Sequence, residues 1–393
     1  MQCISHPGCH LRLHTPPKTS FKSACHVSPK MSLNDDNNSK TTTSSSNNGL
    51  NLINNISKLL WGPSLPPGLL VSTVRTAWTS TWQLMMSQLA PSDPSGGYTR
   101  PPSKFRLSRQ TPTATKLHLY VGLPCPWAHR TLIVRALKGL EEAIPVSIAA
   151  PGLDGSWKFN DIPYQGKSRD GDTLVPTRDK INGCRNLKEV YRLRGGGYEG
   201  RATVPMLWDV DQKEVICNES YDIIEFFNSG LNGLAQNPGL DLSPAELRGE
   251  MEEWNRVIYP NVNNGVYRCG FAQSQEAYDV AANGLFNTLD KMEDHLGGSR
   301  FDAVYNVLFK CTKKKLLEFP NLHAYMRDIY QIPKVAGTCN FPAIMDGYYR
   351  ILFPLNPGSI RPHLPSGCDH EFLSTPHNRE SMSPADKRVQ YVS

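Results

Sequence analysis

The sequence predicts an α/β domain followed by an all-α domain, and three observations support this division. A strand pattern, a helix pattern and a second apolar run follow one another between residues 116 and 148. Two strands joined by a tight turn, and then a helix pattern, lie between 203 and 227. After residue 242 the apolar residues recur at helical spacing. Alternating and 3.6-residue periodicities distinguish strands from helices, so we expect a mixed first half and a helical second half.

The α/β domain begins with a predicted strand, helix and strand. In residues 116–121 apolar residues alternate with polar or mixed ones, which is typical of a β-strand. A helix is predicted from Pro126, because proline suits the first helical turn, where its missing N–H would have had no partner. The apolar run 144–148 predicts the second strand. The apolar face of the predicted helix carries Ala128, Leu132, Ala136 and Leu137.

A Gly- and Asp-rich loop from Pro151 to about Asp179 separates these elements from a hairpin and a second helix. A loop of this length in a compact domain is usually functional or disordered. The order β-α-β, loop, β-β-α is the thioredoxin-like arrangement, which we assign to residues 113–230. The later elements are a strand at 203–209, a turn at 211–213, a strand at 214–217 and a helix that Asn218-Glu219-Ser220 opens.

Residues 242–350 are predicted to form an all-helical domain after a linker at 230–241. The segment Ser243-Pro244-Ala245-Glu246 matches a capping box with proline at the first helical position, so we expect a helix to start there. Residues 351–393 are expected to form an irregular tail. Three predicted helices have the apolar stripes Leu247, Met251, Trp254 and Ile258; Leu285, Leu289, Met292 and Leu296; and Leu322, Tyr325, Met326 and Ile329.

Residues 1–65 are predicted to comprise a transit peptide and a disordered segment. The first 34 residues contain no Asp or Glu and are rich in Ser, Thr, Lys, His and Pro. Because arginine is sparse, we expect a chloroplast location, with the cytoplasm as the alternative. Residues 66–112 form an extension in which 67–89 has the pattern of an amphipathic helix. We expect this helix to pack on the folded body; the alternative is a membrane-surface or partner helix.

Composition and charge exclude several classes of function. The net charge of +6 comes from residues 1–106, which hold ten Lys or Arg and three Asp. The rest of the chain is near neutral, so no nucleic-acid partner is expected. No run of about twenty apolar residues predicts a membrane span. The ten cysteines are irregularly spaced, which favours a reducing compartment and a thiol site over a disulfide framework, and no metal site is predicted.

Cys125-Pro126-Trp127-Ala128 is the strongest candidate for a catalytic motif. Cys125 falls at or beside the N-cap of the predicted helix, where free N–H groups and the positive end of the helix dipole stabilise a thiolate. A buried structural cysteine is the alternative interpretation. Ala128 occupies the position where a redox motif would have its second cysteine, so Cys125 needs an external thiol to resolve any adduct.

Three elements in chain order indicate a glutathione site. The thiol of Cys125 would meet the sulfur of the tripeptide. A cis Val204–Pro205 peptide opposite the thiol would pair with the cysteinyl backbone. The helix start at Glu219-Ser220 would offer N–H groups and a hydroxyl to the γ-glutamyl carboxylate. Arg201 would meet a second carboxylate.

Eight stretches carry a resemblance to a known family: CPWAHRT at 125–131, GRATVP at 200–205, NES at 218–220, VNNGVY at 262–267, GFA at 270–272, FDAVY at 301–305, RDIYQ at 327–331 and NP at 356–357. Through them, residues 117–362 resemble a glutathionyl-hydroquinone reductase, the Xi class of glutathione transferases, and the N-terminal extension resembles that of plastid members from plants. The resemblance implies an α/β thioredoxin-like N-terminal domain plus an all-α C-terminal glutathione-transferase domain.

The resemblance also implies roles for individual residues. Cys125 would be the nucleophile, and Tyr267 the proton donor or acceptor at the quinol oxygen. Tyr305 and Tyr348 would line the thiol and lower its pKa by hydrogen bonding. Trp157, in the long loop, would pack on glutathione. The residues that would bind the tripeptide are Arg201, Thr203, Val204, Pro205, Glu219 and Ser220.

The implied reaction is the reduction of glutathionyl-hydroquinones to hydroquinones through a mixed disulfide between Cys125 and glutathione, with release of glutathione disulfide. Glutathione would be a co-substrate, and no permanently bound cofactor is expected. Two alternatives stay open. One is a cysteine-type thiol transferase, such as a dehydroascorbate reductase, and the other is an inactive isoform that only binds glutathione.

One departure from the family pattern falls near residue 300. Members of the family have a further helix before their equivalent of 301–305, whereas here Arg300 runs directly into Phe301. Losing a central helix would expose the apolar faces of its neighbours, which predicts lower solubility or activity than in a relative that keeps it. If the helical domain is intact, a homodimer through that domain is the expected assembly.

Overall fold

A four-stranded mixed sheet organises the first half of the protein. The computed structural model describes residues 68–107, 116–160, 174–295, 304–365 and 367–379. The strands are β1 (Leu117–Val121), β2 (Val146–Ile148), β3 (Ala150–Pro151), β4 (Trp157–Lys158), β5 (Met206–Asp209) and β6 (Glu214–Cys217). The sheet order is β2-β1-β5-β6, with β1 parallel to β2 and antiparallel to β5.

Helices surround this sheet and form the second half of the chain. In the described residues they are α1 (Gly68–Leu89), α2 (Pro126–Leu137), α3 (Leu187–Arg192), α4 (Ser220–Glu225), α5 (Arg248–Ile258), α6 (Gly265–Gly270), α7 (Gln275–His295), α8 (Pro320–Gln331), α9 (Phe341–Tyr349) and α10 (His370–Leu373). A π-helical turn extends α4 to Gly230, and another extends α5 to Asn263. The predicted fold class, an α/β thioredoxin-like part followed by helices, is confirmed.

The centre of the sheet positions the start of α2. All of β1 is buried, and Leu119 lies opposite Val146 of β2 on one side and Leu207 of β5 on the other. The predicted apolar face of α2 is buried, with Ala128 and Leu132 almost fully inaccessible. Because α2 also packs against α4, the first turns of these two helices lie at the same edge of the sheet.

The segment between β2 and β5 contains structure that the sequence pattern did not reveal. A short hairpin pairs Ala150 with Lys158, inside the segment predicted as a loop. Helix α3 was also not predicted. Its signal is a local one: Asn186 caps the helix by accepting a hydrogen bond from the N–H of Glu189, three residues later, at 3.0 Å.

The first helix of the helical part starts later than predicted. It begins at Arg248 with Leu247 as its N-cap residue, and the predicted capping box at Ser243 does not form. The carboxylate of Asp241 accepts from the Ser243 N–H at 2.9 Å, and Arg248 donates to the Ser243 carbonyl at 3.0 Å. These bonds hold the segment as a turn. The predicted stripe of α5 is not buried, and Leu247 is 48% exposed.

The other two predicted stripes fall on α7 and α8, apart from Leu296, which lies outside the described residues. Leu285 and Leu289 of α7 and Leu322 of α8 are buried in one apolar cluster with α9. In its described residues, 355–365 and 367–379, the tail is irregular except for the four-residue helix α10.

The amphipathic helix of the extension forms as α1, but only its last third packs. Met86 is fully buried, and the indole N–H of Trp82 donates to the Pro354 carbonyl at 3.3 Å. Val74 and Trp78, which belong to the predicted packing face, are 49% and 57% exposed. The expected packing is therefore wrong for the earlier turns of this helix, whose apolar side chains stay exposed.

Several predictions concern residues outside the described ranges. These are the transit peptide and disordered segment at 1–65, the missing helix near residue 300, and the last part of the tail. Within the described ranges, no helix is long and apolar enough to cross a membrane. In the same ranges, no three His, Cys, Asp or Glu side chains gather as metal ligands would.

Candidate active site

The thiol of Cys125 lies at the start of α2, beside the turn that precedes β5. Cys125 is the N-cap residue and Pro126 is the first helical residue, as predicted. The Cys125 Sγ atom lies 3.6 Å from the carbonyl oxygen of Val204. The Val204–Pro205 peptide bond is cis, which confirms that prediction. The fold thus brings together a half-buried thiol and the backbone carbonyl of a residue 79 positions away in the chain.

Arg130 joins the starts of α2 and α4. Its Nε and Nη2 atoms donate to the Ser220 hydroxyl at 3.0 and 2.6 Å, and Nη2 lies 3.7 Å from a Glu219 carboxylate oxygen. Burial lowers the pKa of the Arg130 guanidinium, against the opposing effect of Glu219. Arg130 is absent from the predicted site residues. Its signal in the sequence is its place on α2, five residues after Cys125.

Val204, Glu219 and Ser220 line a cavity of about 500 Å³, which is a suitable size for a small ligand; Cys125 and Arg130 contact these residues from outside its lining. The exposed guanidinium of Arg201 adds a positive charge at its edge. A larger cavity of about 830 Å³, which Arg135, Lys334 and His370 help to line, contains none of the predicted site residues, and we therefore place the site in the smaller one. The predicted site residues that line the smaller cavity are Arg201, Thr203, Val204, Pro205, Glu219 and Ser220.

The N-terminal extension forms one wall of this cavity, which the sequence did not predict. Residues 98–104 line it. The Ser103 hydroxyl donates to Glu219 at 2.9 Å, while Phe105 and Asn218 exchange two hydrogen bonds of 3.0 and 3.1 Å. The segment lacks helical or alternating periodicity, so only its contacts in the fold identify it as part of the site.

Arg100 of this wall stacks against two aromatic rings of the site. Its guanidinium carbon lies 4.5 Å from the ring centre of Trp127 and 5.2 Å from that of Tyr267. Its Nε atom donates to the Asn264 side chain at 2.7 Å. A cation over an aromatic face contributes about 0.5–2 kcal/mol. Arg100 therefore fixes a positive charge next to Tyr267.

The three predicted tyrosines form a row of hydroxyl groups. The Tyr348 hydroxyl lies 3.2 Å from that of Tyr267 and 3.2 Å from that of Tyr305. Burial is the main cause that raises the pKa of Tyr267 and Tyr348 well above 10. The charge of a Cys125 thiolate would raise the pKa of Tyr267 further. At neutral pH these phenols are protonated and able to donate.

A glycine explains how α9 brings Tyr348 to this place. A Cβ atom on Gly347 would overlap the ring of Pro124, which precedes Cys125. Without a side chain there, the helix backbone approaches the turn that carries the thiol. Tyr348, the next residue, is consequently buried beside the other two tyrosines.

Trp157 lies beside the cysteine turn and outside the lining of the 500 Å³ cavity. Its ring packs so closely on Gly122 that a Cβ atom there would overlap it. The Gly122 carbonyl accepts from the Cys125 N–H at 3.0 Å, which links the position of Trp157 to that of the thiol. The role of Trp157 toward glutathione stays a prediction.

Comparison with protein-family models matches residues 124–229 to the N-terminal domain of glutathione S-transferases. The chain is 40% identical to the glutathionyl-hydroquinone reductase YqjG of Escherichia coli (strain K12) over 286 residues, which covers 67% of this chain and 83% of the relative. It is also 40% identical to the glutathionyl-hydroquinone reductase PcpF of Sphingobium chlorophenolicum, over 63% of this chain and 82% of the relative.

Solved structures give the same result. The glutathione transferase Xi of Phanerochaete chrysosporium superposes with a TM-score of 0.61 at 36% identity, covering 68% of this chain and 97% of that one. The glutathione-bound structure of YqjG from Escherichia coli K-12 superposes with a TM-score of 0.61 at 38% identity, covering 68% and 89%. The thioredoxin-like fold, the cysteine at the start of α2 and these similarities agree, and the chain belongs to the glutathionyl-hydroquinone reductase family, the Xi class of glutathione transferases.

Proposed function

We propose that this chain is an enzyme that reduces glutathionyl-hydroquinones to hydroquinones, with glutathione as co-substrate and no permanently bound cofactor. The observation that carries the proposal is the position of Cys125, which lies 3.6 Å from the Val204 carbonyl on a turn whose Pro124 packs against Gly347, the residue before Tyr348. A thiol alone would support many reactions. A thiol on a turn that packs against the helix of a buried tyrosine hydroxyl suits the removal of sulfur from a quinol.

The glutathionyl part of the substrate would lie in the 500 Å³ cavity. Its cysteinyl backbone would pair with Val204 beside Pro205, with the backbone of Thr203 next to it. Its γ-glutamyl carboxylate would lie at Glu219 and Ser220, where the start of α4 and the Arg130 guanidinium supply positive charge. The remaining predicted contacts are Arg201 for the second carboxylate and Trp157 for packing on the tripeptide.

The first chemical step would form the mixed disulfide. The proton of a quinol hydroxyl moves to the ring carbon that carries sulfur, which gives a ketone. The Cys125 thiolate then attacks the glutathione sulfur, so that an S–S bond forms and the C–S bond breaks. The electron pair of that bond leaves as the enolate of the ketone, which is the hydroquinone anion. Tyr267 supplies the proton that this oxygen takes up.

The second step would regenerate the thiol. A second glutathione thiolate attacks the glutathione sulfur of the mixed disulfide, and Cys125 leaves as a thiolate with release of glutathione disulfide. Ala128 occupies the place of a resolving cysteine, so the second thiol comes from solution. Overall, the two glutathionyl groups are oxidised to a disulfide, and the C–S bond of the substrate is reduced to C–H.

Tyr348, in the middle of the hydroxyl row, and Tyr305, at its far end, would support this chemistry. Each lies in a chain of hydrogen bonds that ends at Tyr267. Such a chain orients the Tyr267 hydroxyl and transmits polarisation to it. We assign these two residues to positioning the proton donor and lining the thiol.

Product analysis of the purified protein tests this function. With a glutathionyl-hydroquinone and glutathione, we expect hydroquinone and glutathione disulfide in equal amounts by liquid chromatography. Cys125→Ser is expected to lower the rate by about 10³-fold or more, because no disulfide can form. Cys184→Ser is the control, since Cys184 is half-buried and lies outside the site. Reduction of dehydroascorbate with an unchanged conjugate, or a Cys125 adduct without turnover, would contradict the assignment.

We also propose a plastid location and a homodimer. The acid-free composition of residues 1–34 supports import into a chloroplast. The exposed stripe of α5 supports pairing of two helical parts, since Leu247 and Met251 are 48% and 36% exposed. Fusion of residues 1–65 to a fluorescent protein tests the plastid location. Light scattering tests the homodimer: we expect a dimer that Met251→Glu dissociates, and a monomeric wild type would contradict it.

A further inference from the structure

Arg100 is a cation of the 500 Å³ cavity that the proposed reaction does not use. Among the described residues, the charged side chains that line this cavity are those of Arg100, Lys104, Arg201 and Glu219. Lys104 and Arg201 are exposed, whereas Arg100 is half-buried. A charge that is partly withdrawn from water acts more strongly on a neighbouring charge than an exposed one does. Arg100 is therefore the member of this set that is best suited to hold an anion inside the protein.

Three contacts fix the guanidinium of Arg100 between α2 and α6. It stacks on the ring of Trp127 at 4.5 Å and on that of Tyr267 at 5.2 Å, and its Nε atom donates to the Asn264 side chain at 2.7 Å. Trp127 belongs to the first turn of α2, two residues after Cys125, and Tyr267 belongs to α6. The guanidinium thus lies between the helical turn that begins at the thiol and the phenol assigned as the proton donor.

The terminal amino groups of Arg100 remain available to a ligand. The hydrogen bond to Asn264 uses Nε alone, and within the described part of the chain no carboxylate forms an ion pair with Arg100. Glu219, the acid of the cavity lining, is held by the Ser103 hydroxyl at 2.9 Å and lies 3.7 Å from Arg130. Arg100 consequently presents a fixed positive charge whose outer N–H donors can bind an anionic oxygen.

The glutathionyl part of the substrate does not account for this charge. Its two carboxylates are assigned to the start of α4 and to Arg201. The remaining anion is the one that the reaction creates on the hydroquinone oxygen. Burial raises the pKa of Tyr267 well above 10, so this phenol is a weak acid and gives up its proton late. The oxygen therefore carries negative charge while the C–S bond breaks.

We propose that Arg100 contacts the hydroquinone oxygen and stabilises the negative charge that develops there as the C–S bond breaks. This inference rests on the proposed function. The electron pair of the C–S bond moves through the ring onto the oxygen while the S–S bond to Cys125 forms, and Arg100 exchanges no proton. A donor that is fixed before the reaction needs no reorganisation, and removing one such donor lowers kcat by about 10²- to 10³-fold. The N-terminal extension thereby supplies a residue to the chemistry.

The rate of hydroquinone release from a series of conjugates tests the role of Arg100. The conjugates are glutathionyl derivatives of methylated, unsubstituted and chlorinated hydroquinones, which differ in acidity. Single-turnover experiments without free glutathione isolate the step that breaks the C–S bond. In Arg100→Gln we expect this rate to fall about 100-fold for the least acidic hydroquinone and less than about 10-fold for the most acidic. The reason is that a more acidic hydroquinone leaves as a more stable anion, which needs less help from a cation.

Two further variants separate charge from packing. Arg100→Lys keeps the charge and should recover part of the lost rate, with a dependence on acidity close to that of the wild type. Arg106→Gln removes an exposed cation of the same segment, outside the cavity lining, and should change every rate less than about threefold.

A role of Arg100 in packing alone would lower the rates of all conjugates by one common factor. The proposal is overturned if Arg100→Gln shows such a common factor, or if Arg100→Lys behaves like Arg100→Gln. A wild-type protein that releases no hydroquinone from any conjugate would instead refute the proposed function, and with it this role. Wild-type release together with an unchanged dependence on acidity in Arg100→Gln would refute the role of Arg100 alone.

Discussion

The Nη2 atom of Arg130 lies 2.6 Å from the Oγ atom of Ser220, which places a full positive charge at the start of α4. A helix start alone offers N–H groups and about half a charge to an anion. Arg130 adds further N–H donors and further positive charge to the helix start. Its position is fixed by burial and by Glu219 at 3.7 Å. An oxygen that accepts from a guanidinium can still donate its own hydrogen to a ligand. We infer that Arg130 orients the Ser220 hydroxyl so that it can donate its hydrogen to a ligand carboxylate.

This relationship predicts the effect of Arg130→Ala on substrate binding. Hydrogen bonds to charged groups contribute about 1.5–3 kcal/mol, so we expect KM for the glutathionyl substrate to rise about 10- to 100-fold, with a smaller change in kcat. Steady-state kinetics measure both. Arg106→Ala is the control. Arg106 is an exposed arginine that pairs with Asp222 of α4, and its substitution should change KM less than about threefold. Equal effects of the two substitutions would refute the role of Arg130.

Removing the Tyr267 hydroxyl is expected to slow the chemical step. A positioned proton donor contributes about 10²- to 10⁴-fold, so Tyr267→Phe should lower kcat by about 100-fold or more, with little change in KM. Because burial raises the pKa of Tyr267 well above 10, ionisation of this phenol should not limit kcat below pH 10. Tyr349→Phe, on the same helix as Tyr348, should stay within about twofold. A Tyr267→Phe enzyme with unchanged kcat would assign the proton to another group.

The contact between Gly122 and Trp157 predicts that a single methyl group disturbs the site. In Gly122→Ala the new Cβ atom would overlap the indole ring, which must move away from the turn that carries Cys125. We expect the quenching of tryptophan fluorescence by added glutathione to weaken and kcat/KM to fall about 10-fold or more. Gly233→Ala is the control, since no atom lies within 4 Å of its added Cβ. Unchanged kinetics in Gly122→Ala would mean that Trp157 acts elsewhere.

His118 predicts a loss of stability in mild acid. It is buried in β1 at 2.8 Å from the Ser147 hydroxyl, and burial lowers its pKa from 6.5 to about 4. Below pH 6.5 the unfolded chain takes up a proton that the folded chain refuses until about pH 4. The free energy of unfolding therefore falls across that window as the pH drops, by about 3 kcal/mol from this group.

Urea unfolding at pH 7 and pH 4.5 measures this effect. The pH dependence should be smaller in His118→Gln than in the wild type, because glutamine does not titrate. His363→Gln replaces an exposed histidine and should keep the wild-type dependence. If His118→Gln and the wild type lose equal stability between the two pH values, other groups control the acid response.

The sheet and the thiol could be predicted because their signals are local. Alternation marks β1, proline marks the start of α2, and Pro205 marks the turn that faces Cys125. The residues missed were those whose role depends on distant contacts. Arg100 reaches Asn264 across 164 positions of the chain, and no periodicity in its own segment records that bond.

The failed predictions have equally physical causes. The capping box at Ser243 does not form, because other side chains bind the backbone groups that a helix start would use. The Ser243 N–H donates to the Asp241 carboxylate, and the Ser243 carbonyl accepts from Arg248. The apolar stripe of α1 has helical spacing along its whole length, but each turn is buried only where another part of the protein packs against it. Spacing predicts that Trp78 and Trp82 share a face, and does not tell which of them meets a partner.

The most direct test of the central claim is to trap the intermediate on Cys125. The protein is mixed with a glutathionyl-hydroquinone in the absence of free glutathione, and intact mass and peptide mapping follow. We predict one glutathionyl group per chain, on Cys125, one hydroquinone released per adduct, and complete reversal when glutathione is added. Release of hydroquinone without a glutathionyl group on Cys125 would contradict the mechanism.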